Sequence, residues 1–595
     1  MKKQTKLVAV LSTAALLAIG ASMTSFAATG WAEEDGTWVY YNRDGERATD
    51  SWKKSGNNWY YLDSDGEMAI DQLIEDGDNY YYVDINGVMA SNQWVAIENE
   101  DAGEDDEPEH YWYYFQANGK ALTNGDNDKV SLKTINGKKY AFDDEGKMLY
   151  GWVDDASAER LDNTDGDGFK DADYYFGGED DGAMTTGWLQ IDITYDEAIN
   201  DDYKYTAAAF NDDEDQTRWF YFKSNGKKIF AEDGDRTKDK TINGKKYAFD
   251  QYGAMVAEWS LDEDDLGTNP NAFTSNVASS AEVITGKAFD SKYTESWKYF
   301  NSVEDGARVS KGWFKVVPAE YLNEDKYNDD EDFWYYADGS GNLYAGEFKT
   351  IKGKKYAFRN DGRMINGLKF IKEGTNDFED VIADDDDNHS FDNEDDFLAQ
   401  ASTYFEGEGY KCYYFGGDED GAMRTGKTSL TFDGENTNFY FEKSGGKKGA
   451  GVTGEKDNKL YQSGMLLKAD SDDKYTVVDK ETHTKADGTK YVTYTKLDDA
   501  KAFMDSVKNN GGKVNDELAG KEGSTKVTVG SNTTKKAEDL AEAYSVELKD
   551  VKNHEYILVN TSGKVIDNKG KNKDGSDYYY VTDSNGKITN IYVED

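Results

Sequence analysis

Cysteine, histidine and proline are scarce in this chain of 595 residues, which has 1 Cys, 4 His and 3 Pro. A single cysteine, Cys412, excludes a disulfide framework and a zinc site built on cysteines. The four histidines share no spacing, so we expect neither histidine-based catalysis nor a cofactor. Basic residues are also few: 68 Lys and Arg stand against 118 Asp and Glu, a formal charge of -50. Such acidity excludes a non-specific binder of nucleic acid or anionic membranes.

A long apolar run occurs only near the N-terminus, from Leu7 to Ala21. It follows a lysine-rich start and precedes the small residues of Ser25-Phe26-Ala27. This pattern is typical of a secretory signal peptide, with cleavage after Ala27. The run is shorter than the roughly 20 apolar residues that span a membrane. We therefore predict a signal peptide over residues 1–27 and an exported protein without a membrane span.

Aromatic residues and glycine, in contrast, are abundant, with 13 Trp, 43 Tyr, 27 Phe and 58 Gly. A single compact core stops growing well before this chain length, so a multi-domain chain or a repeat array is expected. High charge with low apolar content is typical of disorder, but disordered chains are poor in aromatics. An aromatic fraction of 14% therefore favours a folded array.

Internal repeats dominate the sequence. Trp31, Trp52, Leu73 and Trp94 follow one another at intervals of 21 residues, and each interval holds an aromatic run such as Trp59-Tyr60-Tyr61-Leu62. Aromatic runs bounded by turns rich in Gly, Asn and Asp predict β-hairpins. A lone hairpin is not stable, so we predict that successive hairpins stack into a solenoid.

A longer period follows, because the motif Thr-Ile-Asn/Lys-Gly-Lys-Lys-Tyr-Ala-Phe occurs at residues 134–142, 241–249 and 350–358. We interpret it as one member of a three-hairpin super-unit that is repeated about three times and interrupted by acidic insertions. The predicted fold is thus an all-β repeat solenoid of stacked β-hairpins over residues 28–469, followed by a small C-terminal α+β module over residues 470–595.

The C-terminal module has a different pattern, with fewer aromatics and more Lys, Thr and Val. Leu497, Ala500, Met504 and Val507 predict an amphipathic helix that Gly511-Gly512 closes. We predict a second helix over residues 535–544 and hairpins over residues 556–566 and 578–593. The sequence assigns no role to this module.

The repeats resemble the choline-binding, or cell-wall-binding, repeat family. The shared pattern is Gly-Trp, a Trp-Tyr-Tyr-Phe/Leu strand and then Gly-x-Met-x-Thr-Gly, as in Gly182-Ala183-Met184-Thr185-Thr186-Gly187-Trp188. The resemblance covers about residues 30–468. It implies a left-handed β-solenoid with aromatic ligand cages between successive hairpins, which bind either choline on teichoic acid or a glucan.

The resemblance also implies cage residues. Each cage takes the opening Trp, the first aromatic of strand two, and the third strand-two residue of the next hairpin. Electron-rich rings hold a quaternary ammonium by cation–π attraction, and a sugar would stack on the same rings. We expect the second strand-two residues, such as Tyr60, to pack in the core. The predicted ligand sets are Trp31, Trp38 and Tyr61; Trp52, Trp59 and Tyr82; and Trp259, Trp297 and Tyr336.

The Lys-Lys-Tyr-Ala-Phe hairpins look structural by this alignment. Lysines occupy their first position and alanines their third, and an ammonium would repel a bound cation. Trp313 and Trp334 would likewise lack a third ring, because the next hairpin supplies Ala357. Ligand binding is therefore expected to concentrate near the N-terminus. The residues concerned are Lys139, Lys246, Lys355, Ala141 and Ala248.

An acidic insertion offers a weak calcium candidate, formed by Asn163, Asp165, Asp167 and Asp171. Its twelfth position is Tyr174 rather than the usual Glu, and a solvated acidic insertion is the alternative.

Taken together, the sequence predicts an exported, non-enzymatic cell-surface protein. Its repeats would bind choline residues of wall teichoic or lipoteichoic acid, or a cell-wall glycan. Two alternatives stay open: a wall-lytic enzyme with an unrecognised C-terminal catalytic domain, and an adhesin or surface scaffold that displays acidic loops.

Overall fold

The structure is a computed structural model that describes most of the chain beyond the predicted signal peptide. Among the described residues, no helix is long and apolar enough to cross a membrane. The described residues are 29–103, 107–161, 167–193, 216–232, 235, 237–261, 291–295, 297–319, 322–382, 391, 393–432 and 434–595.

The chain divides into two compact units. Unit 1 comprises Met1–Ser260 and Phe300–Arg308, and unit 2 comprises Leu261–Tyr299 and Val309–Asp595. Strands β17 (Glu258–Leu261) and β18 (Trp297–Phe300) carry residues of both units.

Unit 1 is built from two-stranded antiparallel hairpins that pair consecutive strands, β1 with β2 and so on to β15 with β16. A short helix, α1 (Asp167–Asp171), lies between β11 and β12. The strands are β1 (Gly30–Glu34), β2 (Thr37–Tyr41), β3 (Ser51–Ser55), β4 (Asn58–Leu62), β5 (Gln72–Asp76), β6 (Asn79–Val83), β7 (Gln93–Glu98), β8 (His110–Phe115), β9 (Lys133–Ile135), β10 (Lys138–Tyr140), β11 (Gly151–Val153), β12 (Tyr174–Phe176), β13 (Gly187–Ile193), β14 (Gln216–Phe222), β15 (Lys238–Ile242) and β16 (Lys245–Phe249).

Unit 2 continues the hairpins with longer insertions. The pairs are β19–β20, β21–β22 and β23–β25, the last joined by β24, while β26 to β30 form one five-stranded sheet. Helix α4 begins at its N-cap Asn393, whose side chain accepts a hydrogen bond from the Asp396 amide. The elements are helices α2 (Ser291–Glu295), α3 (Glu324–Asn328) and α4 (Glu394–Thr403), and strands β19 (Gly312–Val316), β20 (Phe333–Ala337), β21 (Glu347–Ile351), β22 (Lys354–Phe358), β23 (Leu368–Glu373), β24 (Phe378–Ile382), β25 (Tyr410–Tyr414), β26 (Gly426–Phe432), β27 (Glu435–Phe441), β28 (Gly454–Lys456), β29 (Lys459–Gln462) and β30 (Met465–Leu467).

Successive hairpins within each unit are joined by a backbone hydrogen bond that recurs in the same place. The residue at the Met position of the Gly-x-Met motif donates its amide to a carbonyl on the second strand of the preceding hairpin. The Met68 amide bonds the Trp38 carbonyl at 2.8 Å, and the Met364 amide bonds the Trp334 carbonyl at 2.7 Å. Stacking therefore pairs backbone groups that an isolated hairpin would leave to water. The predicted stack of β-hairpins is confirmed.

Packing against a methionine of the preceding hairpin explains why the motif has a glycine. Gly421 has φ +58°, and a Cβ there would lie 2.1 Å from the Met364 sulfur. Gly182 has φ +53°, and a Cβ there would lie 2.3 Å from the Met148 sulfur. The Gly-x-Met spacing thus lets each methionine fill the turn that follows the next hairpin, with a backbone conformation that other residues rarely adopt.

The C-terminal part of unit 2 forms three sheets, ordered β32-β31-β37, β33-β36-β40-β39-β38 and β34-β35. The predicted helix is confirmed as α5 (Ala500–Asn509), which begins at its N-cap Asp499 and buries Phe503, Met504 and Val507. The strands are β31 (Tyr475–Thr484), β32 (Lys490–Leu497), β33 (Lys513–Asp516), β34 (Lys526–Gly530), β35 (Thr533–Lys536), β36 (Leu540–Glu547), β37 (His554–Asn560), β38 (Gly570–Lys573), β39 (Tyr578–Thr582) and β40 (Ile588–Glu594).

The second predicted helix is wrong. Residues 540–547 form strand β36, preceded by a single 3₁₀ turn, Ala537–Asp539. The pattern Leu540, Ala543 and Val546 fits a helix by spacing. Instead a β-bulge between Leu540 and Glu542 shifts the register, so these side chains are buried within a sheet. Pairing with β33 and β40 overrides the local helix preference.

Candidate functional site

Each repeat hairpin has two faces, which the β7–β8 hairpin illustrates. Trp94 pairs with Tyr114, and Ala96 pairs with Trp112. Side chains alternate along a strand, so Trp94, Trp112 and Tyr114 share one face, which we call the front face. Tyr113 and Phe115 point to the opposite, back face. In every hairpin we call the Trp94 equivalent the opening position and number the strand-two residues from Trp112 as first to fourth.

The front face of one hairpin meets the back face of the next. Trp94 contacts Tyr140 and Phe142, the second and fourth residues of the following hairpin, with ring centroids 4.9 and 5.7 Å apart. It also contacts Trp112 and Tyr114 on its own hairpin, at 6.5 and 5.2 Å. An aromatic site therefore lies between hairpins and takes its closing ring from a second-position residue.

Three such sites have almost the same geometry, and each spans a repeat hairpin and a Lys-Lys-Tyr-Ala-Phe hairpin. The two tryptophan rings lie 6.5, 6.2 and 6.3 Å apart with interplanar angles of 81°, 88° and 86°. The closing tyrosine lies 4.9, 4.8 and 4.8 Å from the opening tryptophan. The sites are the Trp94 site (Trp94, Trp112, Tyr140), the Trp188 site (Trp188, Trp219, Tyr247) and the Trp313 site (Trp313, Trp334, Tyr356).

The tryptophans of these sites are more exposed to solvent than the closing tyrosines. The closing tyrosines are each 8% exposed, whereas all six tryptophans are half-buried. Burial raises the pKa of Tyr140 and Tyr356, so both hydroxyls stay neutral at physiological pH. Perpendicular tryptophan faces with a third ring beside them form an electron-rich recess that attracts a cation.

A carboxylate lies at the edge of each recess. The indole N–H of the first-position tryptophan donates to it: Trp112 to Asp180 at 3.1 Å, Trp219 to Glu304 at 3.4 Å, and Trp334 to Glu419 at 3.0 Å. All three acids lie in the turn after the second hairpin beyond the tryptophan pair. For the Trp94 site on β7–β8, this is the turn after β11–β12. The same arrangement therefore occurs three times in sequence regions about 110 residues apart.

The structure groups the N-terminal predicted residues differently from the sequence alignment. Trp31 contacts Tyr40 and Tyr60 at 5.4 and 5.2 Å. Tyr61 lies instead against Trp52, at 5.1 Å. As a third-position residue, Tyr61 lies on the front face, which turns toward the following hairpin, and its grouping with Trp31 in a ligand cage stays a prediction.

The second predicted set shows the same shift. Trp52 contacts Tyr81 at 5.0 Å, while Tyr82 stacks on Phe115 at 6.1 Å. Trp59 is 39% exposed, and among the described residues its ring makes no contact with Trp52. Trp59 is therefore more exposed than the first-position tryptophans of the three sites, whereas Trp38 is half-buried like them. Ligand binding by Trp31, Trp38, Trp52 and Trp59 stays a prediction.

The remaining predicted residues are placed as follows. Trp259 belongs to unit 1, whereas Trp297 and Tyr336 belong to unit 2. Trp297 is 5% exposed, and Tyr336 lies beside Trp313 at 5.1 Å. The ligand role of this third set stays a prediction.

The calcium candidate falls mostly outside the described residues. Asn163 and Asp165 lie outside them, while Asp167 and Asp171 are the ends of α1. Within the described ranges, no group of three or more His, Cys, Asp or Glu side chains is placed to hold a metal ion.

The interpretation of the Lys-Lys-Tyr-Ala-Phe hairpins needs correction. Their lysines do not enter the recesses, and their second-position tyrosines Tyr140, Tyr247 and Tyr356 close the three sites. The Trp313 site is complete because Tyr356, not Ala357, supplies its third ring. A signal for this was present in the sequence: the second position is aromatic in all three copies of the motif, and strand alternation places it on the back face.

Lysines of the chain itself approach several other aromatic faces; the Lys54 ammonium, for example, lies 5.8 Å from the centroid of the Trp59 ring. The Lys228 ammonium lies 5.3 Å from the centroid of the Trp152 ring and donates to the Phe169 carbonyl of α1. Lys228 is 1% exposed, and burial lowers its pKa to about 7. The Lys355 ammonium lies 4.3 Å from the centroid of the Phe348 ring, and burial lowers its pKa as well.

These features define a class of protein: an array of stacked hairpins with aromatic recesses suited to cations. Residues 48–94 match the family described as the choline-binding repeat. The chain thus carries choline-binding repeats, and the resemblance drawn from the sequence is confirmed.

Known proteins share parts of the array. The chain is 25% identical to glucosyltransferase-S of Streptococcus mutans over an alignment of 285 residues, and the match covers 43% of this chain and 16% of that enzyme. Among solved structures, it is similar to the modular autolysin LytC of Streptococcus pneumoniae, with 18% identity, 57% of this chain, 54% of that chain and a TM-score of 0.28. The choline-binding domain of CbpL from the same organism matches with 20% identity, 39% of this chain, 88% of that domain and a TM-score of 0.22. The chain spans less than two thirds of the glucosyltransferase and of the autolysin, and these TM-scores do not establish a shared global arrangement.

Proposed function

We propose that this chain is an exported cell-surface protein whose hairpin repeats bind choline groups of a wall teichoic or lipoteichoic acid without a covalent link. The observation that carries the proposal is the threefold recurrence of two perpendicular tryptophans, a closing tyrosine and an edge carboxylate. A quaternary ammonium offers no hydrogen-bond donor, so ring faces and nearby negative charge are the groups that hold it. The match of residues 48–94 to choline-binding repeats supports the same ligand.

The recess shape favours a compact cation over a sugar. A sugar ring needs one broad stacking surface and polar partners for its hydroxyls, whereas the paired tryptophan planes lie within 10° of perpendicular. Binding at several sites also fits retention on a polymer that carries many choline groups, since linked sites raise the overall avidity.

The proposal includes that the chain binds rather than catalyses. The C-terminal part of unit 2 contains a Ser on α5 beside an Asp and a His on strands, and this contact invites comparison with a hydrolase triad. Asp479 lies in the middle: it accepts from Ser506 at 3.2 Å and contacts the His554 Nδ1 at 3.0 Å. In a triad the imidazole stands between the hydroxyl and the carboxylate. This order supports a structural network in place of nucleophilic catalysis.

Retention of the full chain on a choline-substituted resin tests the proposal. A chain with formal charge -50 adheres to any anion exchanger, so the column is run at constant high ionic strength and eluted with free choline. We expect elution by choline. Elution by soluble glucan but not by choline would contradict the proposed ligand and favour a glycan.

Variants connect the retention to the recesses. The triple variant Trp112→Ala, Trp219→Ala and Trp334→Ala removes one ring and the edge contact from each site, and should no longer be retained. The control Tyr327→Ala removes a ring on α3 that is 46% exposed and belongs to none of the three sites, and should behave like the wild type. Release of wall fragments by the purified chain, measured as loss of turbidity of isolated cell walls, would contradict the non-enzymatic part.

A further inference from the structure

The edge carboxylates belong to a segment that recurs once per super-unit. Residues 177–184 read Gly-Gly-Glu-Asp-Asp-Gly-Ala-Met, residues 301–308 read Asn-Ser-Val-Glu-Asp-Gly-Ala-Arg, and residues 416–423 read Gly-Gly-Asp-Glu-Asp-Gly-Ala-Met. The fourth residue of each segment is the acid that accepts from the tryptophan indole. We call these the edge acids: Asp180, Glu304 and Glu419.

The residue after each edge acid is tied to the Lys-Lys-Tyr-Ala-Phe hairpin. Asp181 pairs with Lys138 at 3.2 Å, Asp305 with Lys245 at 3.1 Å, and Asp420 approaches Lys354 at 3.9 Å. This hairpin therefore does two things at each site. Its tyrosine closes the recess, and its turn lysine holds the acidic segment where the edge acid reaches the tryptophan. Each site thus combines residues of three successive hairpins. This explains why the sequence repeats in units of three hairpins.

The edge acids have further polar contacts in two of the sites. Asp180 contacts the His110 Nε2 at 3.1 Å, and Glu419 accepts from the Lys315 ammonium at 2.8 Å. His110 and Lys315 lie on the front face with the site tryptophans, because His110 is two residues before Trp112 on β8 and Lys315 pairs with Trp334. A carboxylate that accepts an indole N–H also increases the negative potential of that ring face, which strengthens its attraction for a cation.

We propose that Asp180, Glu304 and Glu419 are specificity-determining residues, which make the three sites select a cationic headgroup over a neutral ligand of the same shape. The inference rests on the proposed function and deepens it. Aromatic faces alone bind apolar groups by desolvation, whether or not the group is charged. A fixed carboxylate beside the recess adds an attraction that only a cation experiences.

The test compares two triple variants with equal charge change. The edge variant is Asp180→Asn, Glu304→Gln and Glu419→Gln, whose amide oxygens still accept the indole hydrogen bond. The matched control is Glu179→Gln, Asp235→Asn and Asp418→Asn, three exposed acids that accept no indole hydrogen bond among the described residues. Calorimetry at high ionic strength measures the affinity of the full chain for choline and for 3,3-dimethylbutan-1-ol, its neutral isostere.

We expect the wild type and the control to prefer choline. The edge variant should lose about fivefold or more of its choline affinity and keep its affinity for the alcohol, because charge attraction in a partly exposed site is moderate. An equal loss for both ligands would show that the acids only hold the tryptophans, and would overturn the proposal. Equal behaviour of the edge variant and the control would overturn it as well.

Failure of the proposed function gives a separate result. If the wild type binds neither choline nor the alcohol, the ligand assignment itself is wrong and the inference falls with it. If the wild type binds choline while the selectivity of the edge variant is unchanged, only the role of the edge acids is wrong. Thermal unfolding of all three proteins shows whether the comparison is made between folded chains.

Discussion

The Trp94, Trp188 and Trp313 sites differ from the Trp152 and Phe348 faces in whether a lysine of the chain covers the opening ring. In the first group the tryptophans are half-buried and the recess faces solvent. In the second group a lysine of the chain approaches the ring, at 5.3 Å for Trp152 and 4.3 Å for Phe348. The same hairpin geometry therefore yields either an accessible aromatic face or one that a lysine of the chain covers.

Two sequence positions decide between these outcomes. The first position of strand two is Trp in the three sites, but Asp173 beside Trp152 and Lys355 beside Phe348. The Met position of the Gly-x-Met motif holds Lys228 after the β13–β14 hairpin, and its side chain reaches α1 to donate to the Phe169 carbonyl. Trp152 is then 4% exposed, which leaves no access for a ligand.

The largest expected effect comes from the closing tyrosines. Replacing Tyr140, Tyr247 and Tyr356 with Leu keeps apolar volume but removes one ring from each site. Each cation–π contact contributes about 0.5–2 kcal/mol, so choline affinity at these sites should fall roughly tenfold. Calorimetric titration of the variant and the wild type with choline measures this loss of affinity.

The matched control for the tyrosine variant is Tyr61→Leu with Tyr82→Leu. It changes the third-position residues that the sequence alignment assigned to the cages. Unchanged binding of this control supports the second-position assignment. A tenfold loss in the control with none in the tyrosine variant would restore the third-position cage.

Lys228 should make the stability of unit 1 depend on pH. Its pKa is lowered from 10.5 in the unfolded chain to about 7 in the fold, so the unfolded state binds more protons between these values. Stability is therefore fully present above 10.5 and falls as pH decreases toward 7, by at most about 1.4 kcal/mol per pH unit.

The variant Lys228→Met restores the residue found at this position in other copies. Chemical denaturation of both proteins at pH 7, 8 and 9 should show a stability difference in favour of the variant that shrinks as pH rises. A difference that is constant over this range would contradict the buried, neutralised lysine.

The sealed Phe348 face should be convertible into a weak ligand site. Lys355→Trp removes the ammonium and places a ring at the first position, next to Phe348 and to Tyr413, which lies 5.1 Å from Phe348. Calorimetry should detect one additional, weak choline site. Lys246→Trp is the control, because its hairpin has Asp239 at the opening position, and it should add none.

The smallest effect is expected from the N-terminal hairpins. Trp38→Ala with Trp59→Ala should change the total choline uptake by less than about twofold, since their first positions contribute few close ring contacts. A loss of most of the uptake, measured by equilibrium dialysis, would place the main sites near the N-terminus after all.

Much of the fold was predictable from the sequence. Hairpins followed from aromatic runs bounded by Gly, Asn and Asp, and the helix at Ala500–Asn509 followed from its apolar spacing and the Gly511-Gly512 stop. Strand β36 was not predictable, because its pairing with β33 and β40 depends on residues far away in sequence. Local spacing cannot report such partners.

The candidate site was predictable only in part. The sequence grouped Trp313 with Trp334, and the structure places both rings on the front face of one hairpin, 6.3 Å apart. The sequence alignment took Ala357 as the third residue of this site, but the ring beside Trp313 is that of Tyr356, one residue earlier. Which strand-two residues of the next hairpin face Trp313 depends on how the hairpins stack, and the sequence alone does not specify this. The edge acids were hidden among 118 carboxylates, and they are distinguished by accepting from first-position indoles, whereas Asp76 accepts from the opening-position Trp52.

A crystal structure of the full chain with choline tests the central claim most directly. The account predicts choline density at the Trp94, Trp188 and Trp313 sites, with the quaternary nitrogen within about 6 Å of both tryptophan rings and the closing tyrosine ring. It also predicts no choline beside Trp152 or Phe348, where the lysines remain in place. Choline bound only at acidic insertions, or absent from all three recesses at saturating concentration, would contradict it.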